Sequence, residues 1–171
     1  GYNSSDIAVL MRINALTRLV EEKLRNYNIN YKIYGGFKFY ERAEVKNLIA
    51  YLRLFVNSKD NISYLRIINF PKRGIGDSFI AKLSEYAENK NMSLLEATLS
   101  LNEQDGTLFT KLKDFKNKIE LLKEYYESLK PDDFVAKVVS VFEIKNFYKD
   151  GTEEGFNKVA NIDSFIASVQ E

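Results

Sequence analysis

Apolar residues recur along this chain in two rhythms. A continuous run, Ile7-Ala8-Val9-Leu10-Met11, has the length and density of a strand buried on both faces. After Asn14, which can cap a helix, Leu16, Leu19, Val20, Leu24 and Tyr27 recur at helical spacing, with Glu21, Glu22, Lys23 and Arg25 on the other faces. Tyr31-Lys32-Ile33-Tyr34 predicts a second short strand, stopped by Gly35-Gly36. Strand, helix and strand in so short a stretch predict a βαβ unit with parallel strands and a right-handed crossover.

Beyond Gly36 the rhythm is helical. Residues 41–56 carry Val45, Leu48, Ile49, Leu52 and Phe55 on one stripe, and residues 62–69 predict a shorter helix ended before Pro71. Asp77 or Ser78 can cap the next helix, which carries Ile80, Leu83 and Ala87; a short helix is predicted around residues 94–99, and residues 102–107 read as a linker. Leu108, Leu112, Phe115, Ile119, Leu122, Tyr126 and Leu129 then alternate at spacings of four and three. Both a coiled-coil dimerisation seam and one long helix of a bundle have this pattern. Pro131 ends it, Asp132 or Asp133 caps a helix with Phe134, Val135, Val138, Val139 and Phe142, and a last amphipathic helix carries Phe156, Val159, Ile162, Ile166 and Val169. The expected fold class is mainly α with a small parallel β element.

Composition narrows the chemistry. The chain of 171 residues has no Cys, which excludes disulfides and thiolate metal sites, and no His, which removes histidine-dependent triads and most zinc chemistry. No apolar run approaches the roughly 20 residues that span a bilayer, and the start lacks the regions of a signal peptide. A soluble, cytoplasmic protein with no membrane partner is expected. The net charge of +1 conceals an asymmetry: from Lys23 to Arg73 eleven Lys and Arg face only Glu41, Glu44 and Asp60. Such a segment either faces a polyanion or forms ordinary solvated helix faces.

The densest chemistry lies in Phe70-Pro71-Lys72-Arg73-Gly74-Ile75-Gly76-Asp77, a basic turn between two predicted helices. Two glycines flanking one apolar residue let the backbone fold tightly and aim amide N–H groups at an anion, with Lys72 and Arg73 beside it. This is the pattern of a helix-hairpin-helix that grips a nucleic-acid backbone without reading bases. A Gly-x-Gly between helices also serves as a plain tight turn.

Four stretches together resemble the UvrD/PcrA/Rep-type DNA helicases of superfamily 1. They are residues 7–15 (IAVLMRINA), residues 34–42 (YGGFKFYER), residues 50–54 (AYLRL) and residues 65–76 (LRIINFPKRGIG). The resemblance is dense from residue 6 to about 90 and returns in residues 157–171. It implies that residues 1–105 are the N-terminal half of the RecA-like helicase domain 2A, including the hairpin turn at 70–77, and that residues 106–171 are a helical part of the 2B subdomain. It further implies that Arg12 contacts the γ-phosphate of ATP across a cleft between motor domains, where a fixed guanidinium neutralises charge on the transferred phosphoryl group. Met11 replaces the aromatic residue that packs on adenine in the family; a thioether covers a base face more loosely. Lys72, Arg73, Gly74, Ile75 and Gly76 match the duplex-facing hairpin, and Lys38 falls in the matched Gly-Gly segment as a further DNA contact. Glu41 and Arg42 either organise an interdomain surface or touch DNA.

The sequence holds no Gly-x-x-x-x-Gly-Lys-Ser/Thr phosphate loop and no Asp-Glu pair in the setting of a magnesium site. The expectation is therefore a fragment of an ATP-dependent 3′-to-5′ DNA helicase of repair or replication, inactive alone. ATP and Mg²⁺ would belong to the parent, with none bound to the fragment. Its partners would be the remaining helicase domains in cis and, without sequence specificity, a single-strand/duplex DNA junction. The alternative is a stand-alone DNA-binding or degenerate helicase-like module.

Overall fold

The structure, a computed structural model, describes residues 2–11, 16–33 and 39–169. Among them run nine α-helices: α1 (Thr17–Asn26), α2 (Ala43–Val56), α3 (Asn61–Ile67), α4 (Asp77–Asn89), α5 (Leu94–Ser100), α6 (Thr107–Tyr126), α7 (Pro131–Val141), α8 (Ile144–Tyr148) and α9 (Glu153–Ser168). The chain divides into two compact units, residues 1–46 with 148–171, and residues 47–147.

In the unit of residues 47–147 local chemistry starts the helices. Asp60 caps α3 by accepting from the Ser63 amide at 2.9 Å, and Ser93 and Glu96 form a reciprocal capping box at α5. Pro131 stands at the first position of α7, with Asp132 and Asp133 in its first turn rather than at its cap, where they still complement the open N–H groups. Residues 102–107 are more ordered than a linker, since Glu103–Asp105 form a 3₁₀ turn leading into α6. On α6, Leu112, Phe115, Ile119 and Leu122 are at most 1% exposed. The centre of the four-three seam is spent inside its own unit, as in a bundle helix, whereas Tyr126 near its end is 42% exposed. Phe115 joins an aromatic chain: its ring centroid lies 5.9 Å from Tyr64 and 5.7 Å from Phe142, which in turn lies 4.5 Å from Tyr51.

The other unit pairs α1 with α9 through polar groups. Arg18 donates from Nε to Ser164 Oγ at 3.2 Å and forms an ion pair with Glu22 at 2.9 Å. Arg42 donates to Asn161 Oδ1 at 2.7 Å and to Thr17 Oγ1 at 2.8 Å, while the Asn161 amide donates to Glu44 Oε1 at 2.6 Å. Thr17, Arg18, Glu21, Glu44 and Asn161 are all buried. Phe39 and Val45 supply fully buried apolar surface beside them.

The expected β element is absent among the described residues, and with it the βαβ half of a RecA-like domain: no strand forms there. Residues 7–11 lie without a ladder, and Ile7, Val9 and Leu10 are 65%, 59% and 95% exposed. An isolated apolar segment cannot satisfy its backbone or cover its side chains without neighbouring strands. Residues 31–33 are likewise irregular, and the Tyr31 hydroxyl donates to Glu21 Oε2 at 3.1 Å. Helix α1 compounds the difference. It buries Thr17, Arg18 and Glu21 and leaves Leu16, Leu19 and Tyr27 exposed, the reverse of the face its periodicity predicts. Asn14 lies outside the described residues.

Candidate functional site

The basic turn lies between α3 and α4, as its sequence predicts, and its geometry is set by one side chain. Asn69 Oδ1 accepts from the Arg73 amide at 2.8 Å and from the Ile75 amide at 3.2 Å. Two of the amides expected to face an anion are thus tied inside the turn. Gly74 adopts φ +67°, a region in which a β-carbon is strained, so glycine is needed there. Ile75 is buried and pins the turn to the core beneath it. Gly76 is the N-cap of α4; its φ of −111° is ordinary, and a β-carbon there would meet nothing within 4 Å. With no side-chain cap at Gly76, the Phe79 amide donates to the Gly76 carbonyl at 3.0 Å, and the Asp77 and Ser78 amides remain available to an acceptor from outside. Asp77 in the same turn places one negative charge against that acceptor.

The two cations of the turn have different surroundings. Lys72 is exposed. Arg73 points inward: its NH1 donates to the carbonyls of Ile67, Ile68 and Phe70 at 2.8, 2.9 and 2.9 Å, and its NH2 to the Tyr51 hydroxyl at 2.7 Å. The guanidinium also sits over the rings of Phe115 at 5.0 Å and Phe142 at 5.3 Å. It therefore collects carbonyls at and just beyond the end of α3, a cation at a helix C-terminus. Tyr51 in turn donates to the Phe70 carbonyl. Burial pushes the Tyr51 phenol up to about 12, partly opposed by the Arg73 charge and its hydrogen bond. Burial also raises Tyr64, whose hydroxyl lies 2.6 Å from Thr98 Oγ1.

One residue at the turn escaped the sequence reading. Lys111 of α6 donates from Nζ to the Gly74 carbonyl at 2.8 Å and is exposed. Nothing in the local sequence pairs it with a turn thirty-seven positions away.

The second expected site falls mostly outside the described residues. Arg12, Lys38, Gly35 and Gly36 are not among them, and Met11 is 36% exposed at the end of the irregular segment. The Arg42 guanidinium is committed to Asn161 and Thr17, whereas Glu41 is exposed. Burial draws Arg42 below the usual arginine value, opposed by the Glu44 and Glu21 charges. The Tyr40 hydroxyl donates to Glu22 at 3.2 Å, and burial with the Glu22 charge raises its phenol. A cleft of about 550 Å³ opens beside Arg25, Asn28, Tyr31 and Tyr40. Among the described residues no group of acidic side chains could hold a metal ion, and no helix is long and apolar enough to cross a membrane.

A family model described as the UvrD-like helicase C-terminal domain matches residues 1–171. The chain is 35% identical over 166 residues to the ATP-dependent DNA helicase PcrA of Bacillus subtilis, covering 95% of this chain and 22% of that protein. It is 36% identical over 173 residues to PcrA of Staphylococcus aureus strain Mu50, covering 98% of this chain and 23% of that protein. A "Probable DNA helicase II homolog" of Rickettsia conorii is 33% identical over 177 residues, with 99% and 27% covered. The chain thus spans about a quarter of the length of the curated relatives it matches.

Proposed function

Because the chain belongs to the UvrD-like helicase C-terminal domain family, we propose that it works as part of an ATP-dependent DNA helicase, to which it brings a duplex grip and one nucleotide-facing arginine. The match across all 171 residues carries this reading. The grip consists of Lys72, the turn Gly74-Ile75-Gly76 and the uncapped start of α4; Lys38 is proposed as a separate DNA contact. Its chemistry suits a phosphate backbone, because amides and ammonium groups bind phosphate without reading bases. The open space at Gly76 supports close approach of such a backbone. The partners are a single-strand/duplex junction and the other helicase domains in cis, the compartment is the cytoplasm, and unwinding runs 3′ to 5′. In family terms, residues 1–105 belong to the motor and residues 106–171 to its inserted helical part.

Arg12 is proposed to reach the γ-phosphate of ATP held by those other domains, with Met11 against the adenine. This chain alone does not fit the nucleotide: it lacks a phosphate loop, and its described residues hold no cluster of three acidic side chains that could bind a metal ion. No hydrolytic step is therefore assigned to its residues, and the chain alone should turn over no ATP. In the full-length helicase, Arg12→Ala should lower DNA-stimulated kcat by about a thousandfold or more, the range of an arginine that stabilises transferring phosphate. Unchanged kcat would remove Arg12 from the site, and ATP turnover by the 171-residue chain would overturn its dependence on other domains.

A further inference from the structure

Helix α6 meets the turn twice. Lys111 holds the Gly74 carbonyl, and Phe115, four residues on along the same helix, lies under the Arg73 guanidinium. The Gly74–Ile75 peptide is thereby fixed at both ends, its oxygen by Lys111 and its N–H by Asn69. A carbonyl oxygen beside a phosphate would repel it; an ammonium on that oxygen cancels the repulsion and leaves a net positive charge. An ammonium has three donors, so Lys111 retains two beyond the Gly74 bond at an exposed position. Arg73 has the opposite disposition, with its guanidinium turned to three carbonyls, one hydroxyl and two rings.

We propose that Lys111 is a phosphate-contacting cation of the grip, acting beside Lys72, and that Arg73 is a positioning residue that touches no DNA. This rests on the DNA reading given above. It reassigns the charges: the cation adjacent to Lys72 in sequence is committed to groups around the turn, and its replacement arrives from a different helix.

The test is fluorescence anisotropy of the 171-residue chain on a labelled duplex with a single-stranded 3′ tail, titrated with KCl. Each neutralised phosphate contributes about 0.9 to the slope of log K against log salt. Lys111→Ala should reduce the slope by about 0.9, equally on different sequences, as should Lys72→Ala, and Lys111→Arg should restore it. Arg73→Gln should weaken binding with the slope intact. Should Arg73→Gln fail to fold by circular dichroism, Tyr51→Phe removes one Arg73 anchor and should likewise lower affinity at constant slope. A slope unmoved by Lys111→Ala, or a drop of about 0.9 in folded Arg73→Gln, overturns the assignment. Absence of salt-dependent binding by the unmodified chain overturns the DNA reading beneath it.

Discussion

Replacing Asn161 by alanine should loosen α9 by about 3 kcal/mol. Asn161 is 3% exposed and bridges two charges, accepting from Arg42 at 2.7 Å and donating to Glu44 at 2.6 Å. Hydrogen bonds to charged groups contribute about 1.5–3 kcal/mol each, and a buried group left without its partner keeps its full desolvation cost. Two such bonds set a range of about 3–6 kcal/mol. The low end applies because Arg42 retains Thr17. A loss of that size is a large share of the roughly 5–15 kcal/mol that holds a typical domain folded. Native-state hydrogen exchange of the α9 amides reads the effect locally, and a loss of about 3 kcal/mol is roughly a hundredfold loss of protection. Asn161→Leu keeps much of the volume but neither bond, and should be no better than alanine. Protection changed by less than about threefold in Asn161→Ala, or restored by Asn161→Leu, would refute the hydrogen-bond account in favour of simple packing.

Gly155→Ala should destabilise the start of α9 by about 2 kcal/mol in urea unfolding, within the usual range for overpacking, because its β-carbon would overlap the Tyr148 carbonyl oxygen and the Asp150 carboxylate. Alkaline titration followed by tyrosine absorbance should show Tyr51 ionising late. Its phenol rises from 10.0 to about 12 on folding, so its contribution is whole below pH 10 and lost as pH climbs toward 12. Acid should act in the opposite sense: hydrogen bonds from the Ser63 amide and hydroxyl hold the Asp60 carboxyl below its ordinary value. Its cap is therefore intact above the usual carboxylate range and weakens as pH falls through the depressed value, and Asp60→Asn should flatten that part of the stability profile.

Much of the helical architecture was legible because most helices carry an apolar period. The α6 seam reports its own burial at its centre; Pro131, read as a helix end, is the first residue of α7, and the caps at Asp60 and at Ser93 with Glu96 went unread. In the candidate site the turn's shape was legible at Gly74, whose backbone angle demands glycine, and the exposure of a cation at Lys72. The site was not legible at Arg73, because a basic residue before a glycine turn has the same sequence signature whether it faces outward or collects carbonyls beneath the turn. Lys111 was invisible for a different reason, since its contact depends on how α6 packs. The strands were misread because an apolar run records a preference for cover, while a sheet also needs neighbours to supply it.

Helix α1 separates hydropathy from mutational tolerance. Its inward face is Thr17, Arg18 and Glu21, and Glu21 alone accepts from the Phe39 amide and the Tyr31 hydroxyl. A deep substitution scan of residues 16–27 would therefore put its sensitive stripe on ionic side chains and its permissive stripe on leucines. An alignment scored by conservation of apolar character would rank the same positions in reverse order. In this chain by itself, a charge-neutralising redesign aimed at Arg18 or Glu21 would cut into the interior, whereas Leu16 and Leu19 lie on its surface.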